Sequence, residues 1–411
     1  MLDLNTIREN PDRVREKLAL RNTPSTLVDE FLKADNLWRD LVSKRDEMRA
    51  QQKLLGRDSM EEAKELKIKI QKLEEDIKLL SEKRDDIILH IPNLPSDEVP
   101  IGKDDSENVV VREVGEKPNF NFKIKDHVEL GKSLNLFNTE KAGQVAGARF
   151  NYILNELVLL EFGLIQLAFK EAIKLGFIPV LPPVLVKPEI LKGMGKGKFL
   201  DEKEAFYLPE DDLYLVGSAE HTMGPYHADE ILNEKDLPLR YIAFSTAFRR
   251  EAGSYGKDTK GMLRVHQFDK AELFSFTHPD KSKEEHKFLV EFGENLMKKL
   301  KLPYRVLDVC TGDMTFSDVR QFDIEAFMPG QNTYRETHSC SNTGDYQARG
   351  INTRFRDKDG EVRFVHTLNG TAFSQRPLIA IMENYQTENG SIIVPDVLRE
   401  YVGQDIITRN G

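Results

Sequence analysis

Residues 27–91 carry an apolar repeat that constrains the fold of this chain more than any other feature. Spacings of four and three residues alternate through two runs, with Gly56-Arg57-Asp58-Ser59 between them. Such alternation is typical of a coiled-coil seam, and a short break makes the two helices antiparallel neighbours. Each helix of roughly 30 residues extends for about 45 Å. The seam positions are Leu27, Phe31, Ala34, Trp38, Leu41, Arg45, Met48, Gln52 and Leu55 in the first run, and Leu66, Ile70, Leu73, Ile77, Leu80, Arg84, Ile87 and Ile91 in the second.

The outer end of this predicted hairpin is basic, although the hairpin as a whole is slightly acidic. Between Lys44 and Arg57, the only acidic residues are Asp46 and Glu47. A rigid lever with a cationic end is suited to contact a phosphate backbone. A dimerisation coiled coil and a simple spacer remain alternatives, because Lys-rich helix surfaces are usually just solvated. The cations are Lys44, Arg45, Arg49, Lys53 and Arg57.

Bulk composition excludes several classes of protein. The chain has 411 residues, enough for two or three domains, and no apolar run approaches the length of a membrane-spanning helix. Its polar N-terminus fits neither a secretory signal nor an Arg-rich transit peptide. Cys310 and Cys340 are too few for a disulfide framework or a cysteine-rich zinc site. We therefore expect a cytoplasmic protein without a membrane partner, and the net charge of -10 confines any polyanion site to local basic patches.

A proline-containing, acidic linker at 90–109 separates the hairpin from a larger region of mixed texture. Helical patterns at 148–175 and 281–300 are interspersed with short strand-like runs. Because the strands follow one another more often than they alternate with helices, the sequence predicts an α+β fold with an antiparallel sheet flanked by helices. No GxGxxG or GxxxxGK[ST] motif is present, so a Rossmann turn or P-loop is not expected. The strand-like runs are 177–180, 213–216, 239–244, 264–268, 271–276 and 362–368.

Residues 248–272 place charges of both signs close together in the sequence. Arg249 and Glu251 are two apart, so on a strand they would share a face, and a loop containing Gly and Lys follows at 253–257. Arg264 and Glu272 lie in the strand-like sequence that returns from this loop. Such a pocket suits a ligand with a triphosphate at one end and an ammonium at the other, since guanidinium groups bind phosphate through charge-assisted bonds. An exposed hairpin with ordinary ion pairs is the alternative interpretation.

Five segments, in the expected order over essentially the whole chain, resemble the seryl-tRNA synthetase family of class II aminoacyl-tRNA synthetases. "GFIPVLPP" (176–183) resembles motif 1, and "FRREAGSYGKDTKGMLRVHQFDKAEL" (248–273) resembles motif 2. "HTLNGTAFSQRPLIAIMENYQTENGSIIVPDVLREYVG" (366–403) resembles motif 3. "YRETHSCSNTGDYQAR" (334–349) is similar to the family's metal and ATP segment. The sequence from the first residue through the linker is similar to the family's N-terminal arm.

This resemblance implies a domain organisation and an activity. It implies an N-terminal tRNA-binding domain at 1–105, with its coiled-coil arm at 27–91, and a class II catalytic domain at 106–411 that binds ATP and serine and forms a homodimer. The implied enzyme is a serine–tRNA ligase. It would use ATP and Mg²⁺ to make seryl-adenylate and transfer the seryl group to tRNA(Ser). The basic end of the arm would bind the tRNA, and selenocysteine tRNA remains open as a second acceptor.

The resemblance also assigns roles to individual residues. Arg249 and Arg376 would be catalytic, with Arg249 on the α-phosphate of ATP and Arg376 on the γ-phosphate. Glu336 and Ser339 would hold Mg²⁺, which prefers oxygen-rich, partly open sites. The implied ATP-binding residues are Arg249, Arg250, Glu251, Val265, His266, Gln267, Phe268, Glu336, Thr337, His338, Ser339 and Arg376, and the implied serine-binding residues are Ser218, Ala219, Glu220, Arg249, Glu272, Asn369 and Thr371.

The sequence departs from the family pattern in two places. Ser218 stands where a threonine is usual, and the segment from Asn369 to Arg376 is one residue shorter than the family spacing. Because one residue turns a helix by about 100°, we expect the shortening to be absorbed before the helix starts.

A ligase that passes a small amino acid to a carrier protein and a catalytically silent RNA-binding paralogue are the alternative functions. The arm and the few cysteines disfavour the first, and the retained arginines disfavour the second.

Overall fold

The computed structural model of this chain describes residues 1–55, 59–252 and 261–409. The chain divides into two compact units, Met1–Leu94 and Pro95–Gly411. Among the described residues, the first unit is helical and the second combines helices with sheets. The helical arm and the α+β region expected from the sequence are therefore both present.

Residues 95–105, which the sequence assigned to the N-terminal domain, pack on the second unit. The N–H of Ser96 donates to the carbonyl oxygen of Val319, and the N–H of Thr311 donates to that of Pro100, both at 2.9 Å. These bonds tie the linker to the strands and loops of the larger unit. The division between the compact units consequently falls after Leu94.

The first unit consists of two short helices followed by two long ones that pack on each other. The guanidinium of Arg84 lies over the ring of Trp38, 4.3 Å from its centroid, and Arg49 pairs with Glu74 at 2.5 Å. Residues later in the second long helix therefore contact residues earlier in the first, as the predicted antiparallel hairpin requires. The helices are α1 Leu4–Glu9, α2 Pro11–Leu20, α3 Thr26–Leu54 and α4 Met60–Leu89.

Every predicted seam position of the hairpin is buried or half-buried, which confirms the register of the repeat. On α3, full burial is concentrated near its start, where α1 and α2 pack against it, and Phe31 is completely enclosed there. Asp35 is also completely buried, and the Arg8 guanidinium donates to both of its oxygens at 2.7 and 2.8 Å. A buried carboxylate of this kind is tolerated because a charged partner compensates for its lost hydration.

A large sheet forms the centre of the second unit. Its strands, within the described residues, are β1 Val109–Val114, β2 Ile178–Val180, β3 Leu239–Phe248, β4 Gln267–Thr277, β5 Tyr304–Asp308, β6 Arg320–Met328, β7 Thr333–Asn342 and β8 His366–Phe373. Their spatial order is β1-β5-β6-β7-β8-β4-β3-β2. Neighbouring strands are antiparallel, except for the parallel pair of β2 and β3 at one edge. The predicted α+β class is confirmed.

The two faces of this sheet differ in chemistry. On β4, Ala271 and Leu273 belong to one continuous apolar core, whereas Lys270 and Glu272 alternate with them and point to the other face. Glu272 lies opposite Thr371 of β8. The face with these polar side chains is the one on which the candidate site is built.

Helices cover the apolar face of the sheet. Apolar residues of α7 (Glu156–Lys174), α11 (Ser282–Lys299) and α13 (Arg376–Asn384) belong to the same core as Leu273. Seven of the nine residues of α13 are buried. Among the described helices, none is long and apolar enough to cross a membrane. The helices of this unit are α5 His127–Leu134, α6 Thr139–Ala146, α7 Glu156–Lys174, α8 Pro188–Gly193, α9 Gly197–Asp201, α10 Glu220–Met223, α11 Ser282–Lys299, α12 Tyr346–Ile351, α13 Arg376–Asn384 and α14 Arg399–Val402.

The predicted helix at 148–175 was wrong at its start. The helix begins only at Glu156, because Asn155 has a φ of 51° and a short strand occupies Tyr152–Ile153. A positive φ lies outside the right-handed helical region, so the helical pattern cannot extend through that residue. The helix predicted at 281–300 is confirmed as α11.

Candidate active site

Arg249 and Glu251 do not share the face of a strand, so that prediction was wrong. β3 ends at Phe248, and Glu251 has a φ of 51°, which reverses the chain direction instead of continuing the strand. Arg264 precedes β4 rather than lying on it, and its guanidinium pairs with the Glu251 carboxylate at 3.1 Å. The predicted cluster of charges exists, but an irregular segment positions it. The loop at 253–257 lies outside the described residues.

Arg249 is held firmly just beyond the end of β3. Its backbone N–H donates to the carbonyl oxygen of His266 at 3.0 Å, and its Nε donates to the carbonyl oxygen of Gly217 at 3.1 Å. The guanidinium lies over the ring of Phe268, 5.4 Å from the centroid. Among the described residues, only its Nε donates a side-chain hydrogen bond, so Nη1 and Nη2 are available for other partners. The Nδ1 of His266 lies 2.9 Å from the carbonyl oxygen of Arg249 and strengthens the same junction.

Ser218 and Glu220 lie on the loop that contacts Arg249, and both are buried. The N–H of Glu220 donates to the hydroxyl of Ser218 at 3.2 Å. One carboxylate oxygen of Glu220 is 2.9 Å from the ammonium of Lys196 and accepts the Nε2 of Gln347 at 2.8 Å. Burial by itself raises the pKa of Glu220, but the charges of Lys196 and His221 and the hydrogen bonds from Lys196 and Gln347 together outweigh it and hold the pKa at about 2. Ala219, between the two, is also fully buried.

Glu272 forms the second acidic wall of this pocket. The ammonium of Lys270 lies 2.5 Å from the Glu272 carboxylate and 3.4 Å from the Ser218 hydroxyl. Burial raises the pKa of Glu272, and Lys270 opposes that rise. Thr371 and Asn369 are buried on β8 beside it. The pocket therefore combines two carboxylates with two ammonium groups and several hydroxyl or amide groups.

A second cluster surrounds Glu336 on β7. The Nη1 of Arg376 donates to the backbone carbonyl oxygen of Glu336 at 2.9 Å and to its carboxylate at 3.1 Å. Gln321 donates through Nε2 to the carboxylate of Asp323 at 3.0 Å and to the hydroxyl of Ser339 at 3.1 Å. Carboxylate, hydroxyl and amide oxygens are the donor types that Mg²⁺ binds.

Two carboxylates of this cluster have opposite pKa shifts. Burial, together with the charge of Glu336, raises the pKa of Asp323 to about 8. Desolvation acts to raise the pKa of Glu336 as well, but the guanidinium of Arg376 outweighs it and lowers that pKa. Glu336 is the more accessible of the two, with 46% of its side chain exposed. It is therefore an ionised, accessible carboxylate beside a buried carboxyl group.

The segment between β8 and Arg376 is a short turn. β8 ends at Phe373 and α13 begins at Arg376, so only Ser374 and Gln375 connect them. Arg376 is the first residue of the helix and reaches Glu336 directly. Gln375 is buried and donates to the carboxylate of Glu161 on α7 at 3.2 Å. The turn thus brings the guanidinium next to Glu336 on the polar face.

Several residues predicted to bind ATP have side chains with other partners. The hydroxyl of Thr337 donates to the carbonyl oxygen of Ile324 at 3.1 Å and lies 2.9 Å from the ring of His338. Burial lowers the pKa of His338 to about 4, so its ring is neutral at pH 7. Val265 is buried, and Gln267 is exposed. Arg250 uses its Nε on the carbonyl oxygen of Ala205 at 3.1 Å.

Lys196, Gln347 and Asp323 contact the predicted residues but were not predicted from the sequence. Lys196 and Gln347 belong to segments distant from Glu220 in the chain, and no spacing rule connects them. The sequence did contain a signal for Lys270, because it alternates with Glu272 on a strand and must share its face. Asp323 carried a weaker signal, since it lies on a strand next to the one that bears Ser339.

The basic residues of the arm lie in the first unit. Lys44, Arg49 and Lys53 are exposed on α3. Arg49 pairs with Glu74, and Arg45 pairs with Asp46 at 2.8 Å. Arg57 lies outside the described residues. The described cations are accessible and only partly neutralised, as a surface for a polyanion requires.

Comparisons with known proteins agree with this arrangement. Residues 206–385 match the tRNA synthetase class II core domain (G, H, P, S and T), and residues 1–95 match the seryl-tRNA synthetase N-terminal domain. The serine–tRNA ligase of Thermobifida fusca is 44% identical over 420 residues, which cover 99% of both chains.

Solved structures extend the similarity to three dimensions. Seryl-tRNA synthetase from Pyrococcus horikoshii, solved with ATP, superposes with a TM-score of 0.94 at 37% identity and covers all of both chains. The cytoplasmic serine–tRNA ligase of Naegleria fowleri, solved with AMP, has a TM-score of 0.91 at 33% identity, covering 100% of this chain and 99% of that one. The chain, with its helical arm and its charged pocket on an antiparallel sheet, belongs to the seryl-tRNA synthetase family of class II aminoacyl-tRNA synthetases.

Proposed function

We propose that this enzyme joins serine to ATP as seryl-adenylate and then transfers the seryl group to the terminal ribose of tRNA(Ser). The observation that carries the proposal is the placement of Arg249 and Arg376, together with the buried carboxylates Glu220 and Glu272, on one face of the sheet. Guanidinium groups fit the phosphates of ATP, and carboxylates fit the ammonium and hydroxyl of serine.

The activation step needs positioning and charge neutralisation rather than covalent help from the protein. The carboxylate of serine attacks the α-phosphorus, and the bond to the pyrophosphate oxygen breaks. Arg249 is anchored through Gly217 and His266, so its guanidinium can neutralise charge on the α-phosphate without reorganising. Arg376 would bind the γ-phosphate, and Glu251 would meet the adenine end.

Selection of serine depends on hydrogen bonds and ion pairs to polar groups in the pocket. Glu220 would accept the α-ammonium, and Glu272 and Thr371 would hydrogen-bond the hydroxyl. Alanine would leave those buried polar groups without partners, which is a strong penalty. Threonine would be rejected only by lack of room for its methyl group, and this penalty is weaker.

Mg²⁺ fits the oxygen donors of Glu336 and Ser339. Within the described residues, no cluster of three or more His, Cys, Asp or Glu side chains is arranged to hold a metal ion. This suits Mg²⁺, which is usually bound through one or two carboxylates while phosphates and water complete its shell. When bound, the ion would neutralise charge on the phosphate oxygens. Gln321 orients the Ser339 hydroxyl toward this role.

The arm supports the choice of tRNA as acceptor. Its cations lie on a helical surface with few aromatic residues for base stacking, as expected for recognition of RNA by shape and backbone. tRNA(Ser) is the primary acceptor in this proposal, and selenocysteine tRNA is tested as a second one. The cytoplasm, where tRNA is charged, is the proposed location.

An exposed apolar surface supports a homodimer. Large apolar side chains are exposed on α7 and in the segment at 176–183 that resembles motif 1, and such patches mark protein interfaces. Phe162 is 52% exposed and Leu181 is 79% exposed. Phe162→Asp should shift the protein from dimer to monomer in sedimentation. The control variant Leu54→Asp, in the arm, should remain a dimer. A wild-type monomer would contradict the proposal.

The central experiment measures amino-acid-dependent exchange of pyrophosphate into ATP. Serine should support exchange, Mg²⁺ should be required, and alanine and glycine should be inactive. Exchange with alanine or glycine but not serine would favour a carrier-protein ligase. No exchange with any amino acid would favour a silent RNA-binding paralogue.

A second experiment separates activation from tRNA charging. Replacing residues 27–91 by a short linker should retain serine-dependent exchange and abolish charging of tRNA(Ser). Charging that survives this deletion would overturn the role of the arm. Parallel reactions with selenocysteine tRNA decide whether it is a second acceptor.

A further inference from the structure

Lys196 forms a buried ion pair inside the proposed serine pocket, and none of the family motifs includes it. Its ammonium is 2.9 Å from Oε1 of Glu220, and the two side chains are only 12% and 9% exposed. Lys196 directly precedes α9, whereas Glu220 begins α10. The fold therefore brings together two charges that the sequence keeps apart.

The contacts of Glu220 are unevenly divided between its two carboxylate oxygens. Lys196 and the Nε2 of Gln347, at 2.8 Å, both contact Oε1. Among the described residues, no hydrogen bond is made to Oε2. One oxygen is thus fixed by the protein, while the other is left for a ligand.

The remaining charges around Glu220 explain why this ion pair matters. Lys270 and Glu272 face it from β4, and Arg249 faces it from the end of β3. His221, on its own helix, is neutral because burial, followed by the charge of Lys196, lowers its pKa to about 3. Its Nδ1 accepts the N–H of Gly217 at 3.2 Å. At pH 7 His221 is therefore neutral, although its charge at lower pH contributes to the low pKa of Glu220.

A buried carboxylate without a cation tends to take up a proton. The protonated group would lose its ionic attraction for an ammonium. Among the described residues, Lys196 is the cation in ion-pair contact with Glu220, and it opposes this effect of burial. Lys270 cannot replace it, because its ammonium is engaged by Glu272 at 2.5 Å.

We propose that Lys196 is a positioning residue for the amino-acid substrate: its ammonium keeps Glu220 ionised and fixes Oε1, so that Oε2 accepts the α-ammonium of serine. This inference rests on the proposed function. Lys196 touches neither reacting atoms nor ATP in this scheme and acts through Glu220. Its removal should therefore affect serine binding selectively and in a pH-dependent way.

The test is pyrophosphate exchange by full-length Lys196→Met between pH 6 and pH 9. The KM for serine at pH 7 should rise by about 10- to 100-fold, as for the loss of a charge-assisted bond, while the KM for ATP stays within about twofold. The increase should shrink as pH rises, because Glu220 with a raised pKa ionises only at higher pH. Lys196→Arg, which keeps the charge, should restore most of the affinity for serine.

Lys198→Met is the matched control. Lys198 lies two residues further on, with 64% of its side chain exposed, and its ammonium is 3.5 Å from the carboxylate of Glu202. This variant should retain the wild-type KM values. Lys196→Gln, which can still donate to Oε1 but lacks the charge, decides the question if Lys196→Met does not fold. It should show the same pH-dependent rise.

Three outcomes overturn the inference. They are an unchanged KM for serine in Lys196→Met or Lys196→Gln, an equal rise in the KM for serine and ATP, and a rise that does not depend on pH. Failure of the proposed function is distinguishable, because the wild type and Lys198→Met would then also lack serine-dependent exchange.

Discussion

The arm hairpin and the sheet domain achieve order in different ways. In α3, which has 29 residues, the fully buried positions are Val28, Phe31, Ala34 and Asp35, all near one end. In α13, seven of nine residues are buried. Beyond its first turns, α3 is thus held by a half-buried seam against α4, whereas the sheet domain has a continuous core. Substitutions should consequently have local effects in the outer arm and larger effects in the core.

The same side-chain type also serves different purposes in the two regions. Lys44 and Lys53 on the arm are exposed to solvent. Lys196 and Lys270 in the pocket are each 12% exposed and lie against a buried carboxylate. Exposed cations attract a polyanion with a strength that depends on salt. Buried pairs instead arrange a site before its substrate arrives.

The largest effect should come from the base of the arm. Phe31→Ala removes a completely buried ring and should lower the free energy of unfolding of the first unit by about 3–5 kcal/mol. Leu54→Ala, on the same helix but 86% exposed, should change it by less than about 0.5 kcal/mol. Denaturant unfolding followed by circular dichroism measures both. Equal losses would show that the outer arm is packed as tightly as its base.

The next largest effect should be on chemistry alone. Arg249→Ala removes an anchored guanidinium and should reduce kcat for pyrophosphate exchange by about 10²- to 10³-fold. The affinity for tRNA should not change, because the arm retains its cations. Exchange kinetics and filter binding measure the two quantities. Parallel losses in both would contradict the separation of the regions.

A smaller effect should follow from neutralising the arm. Changing Lys44, Arg49 and Lys53 to Ala should weaken tRNA binding by about 10- to 100-fold and reduce the slope of log K against log salt by about one for each phosphate that is no longer neutralised. Exchange should be unaffected. The matched control changes three exposed lysines of α4, namely Lys69, Lys72 and Lys78. If the control weakens binding equally, general charge rather than the end of the arm is responsible.

The smallest effect concerns a buried carboxyl group in the sheet domain. Burial, aided by the charge of Asp269, raises the pKa of Glu161 to about 7. The folded state therefore holds this proton more tightly than the unfolded state, and the contribution of Glu161 to stability falls as pH rises from about 4.5 to 7. Glu161→Gln should abolish that contribution and be more stable than wild type by about 1–2 kcal/mol at pH 8.

Unfolding of both proteins across this pH range provides the measurement. A constant difference between them would show that Glu161 does not titrate there. Asp35 in the arm provides the contrast within the same chain. It is equally enclosed, but its charge is paired with Arg8 at 2.7 Å.

Much of the architecture was predictable because it depends on local periodicity. The seam of the arm follows a strict repeat, and its positions are buried or half-buried as predicted. Helix α11 also followed its pattern. The start of α7 did not, because the backbone at Asn155 departs from the helical region. Periodicity indicates which face is buried but does not reveal a single residue with positive φ.

The candidate site was predicted less completely, because its parts come from distant segments. Glu272 and Thr371 were both identified, but their pairing across β4 and β8 is a property of the sheet. Arg249 and Glu251 were identified for an incorrect geometric reason, since the strand ends before both of them.

The sequence by itself determined the coiled-coil arm, the α+β class and the types of charged residue available for binding. These properties follow from repeats and motifs that are local in the chain. Only the tertiary structure decided that Lys196 meets Glu220 and that Arg376 meets Glu336. Such pairs form only when distant segments of the chain fold together. Burial and the partner's charge then set the protonation of each carboxylate, and no local sequence pattern encodes either effect.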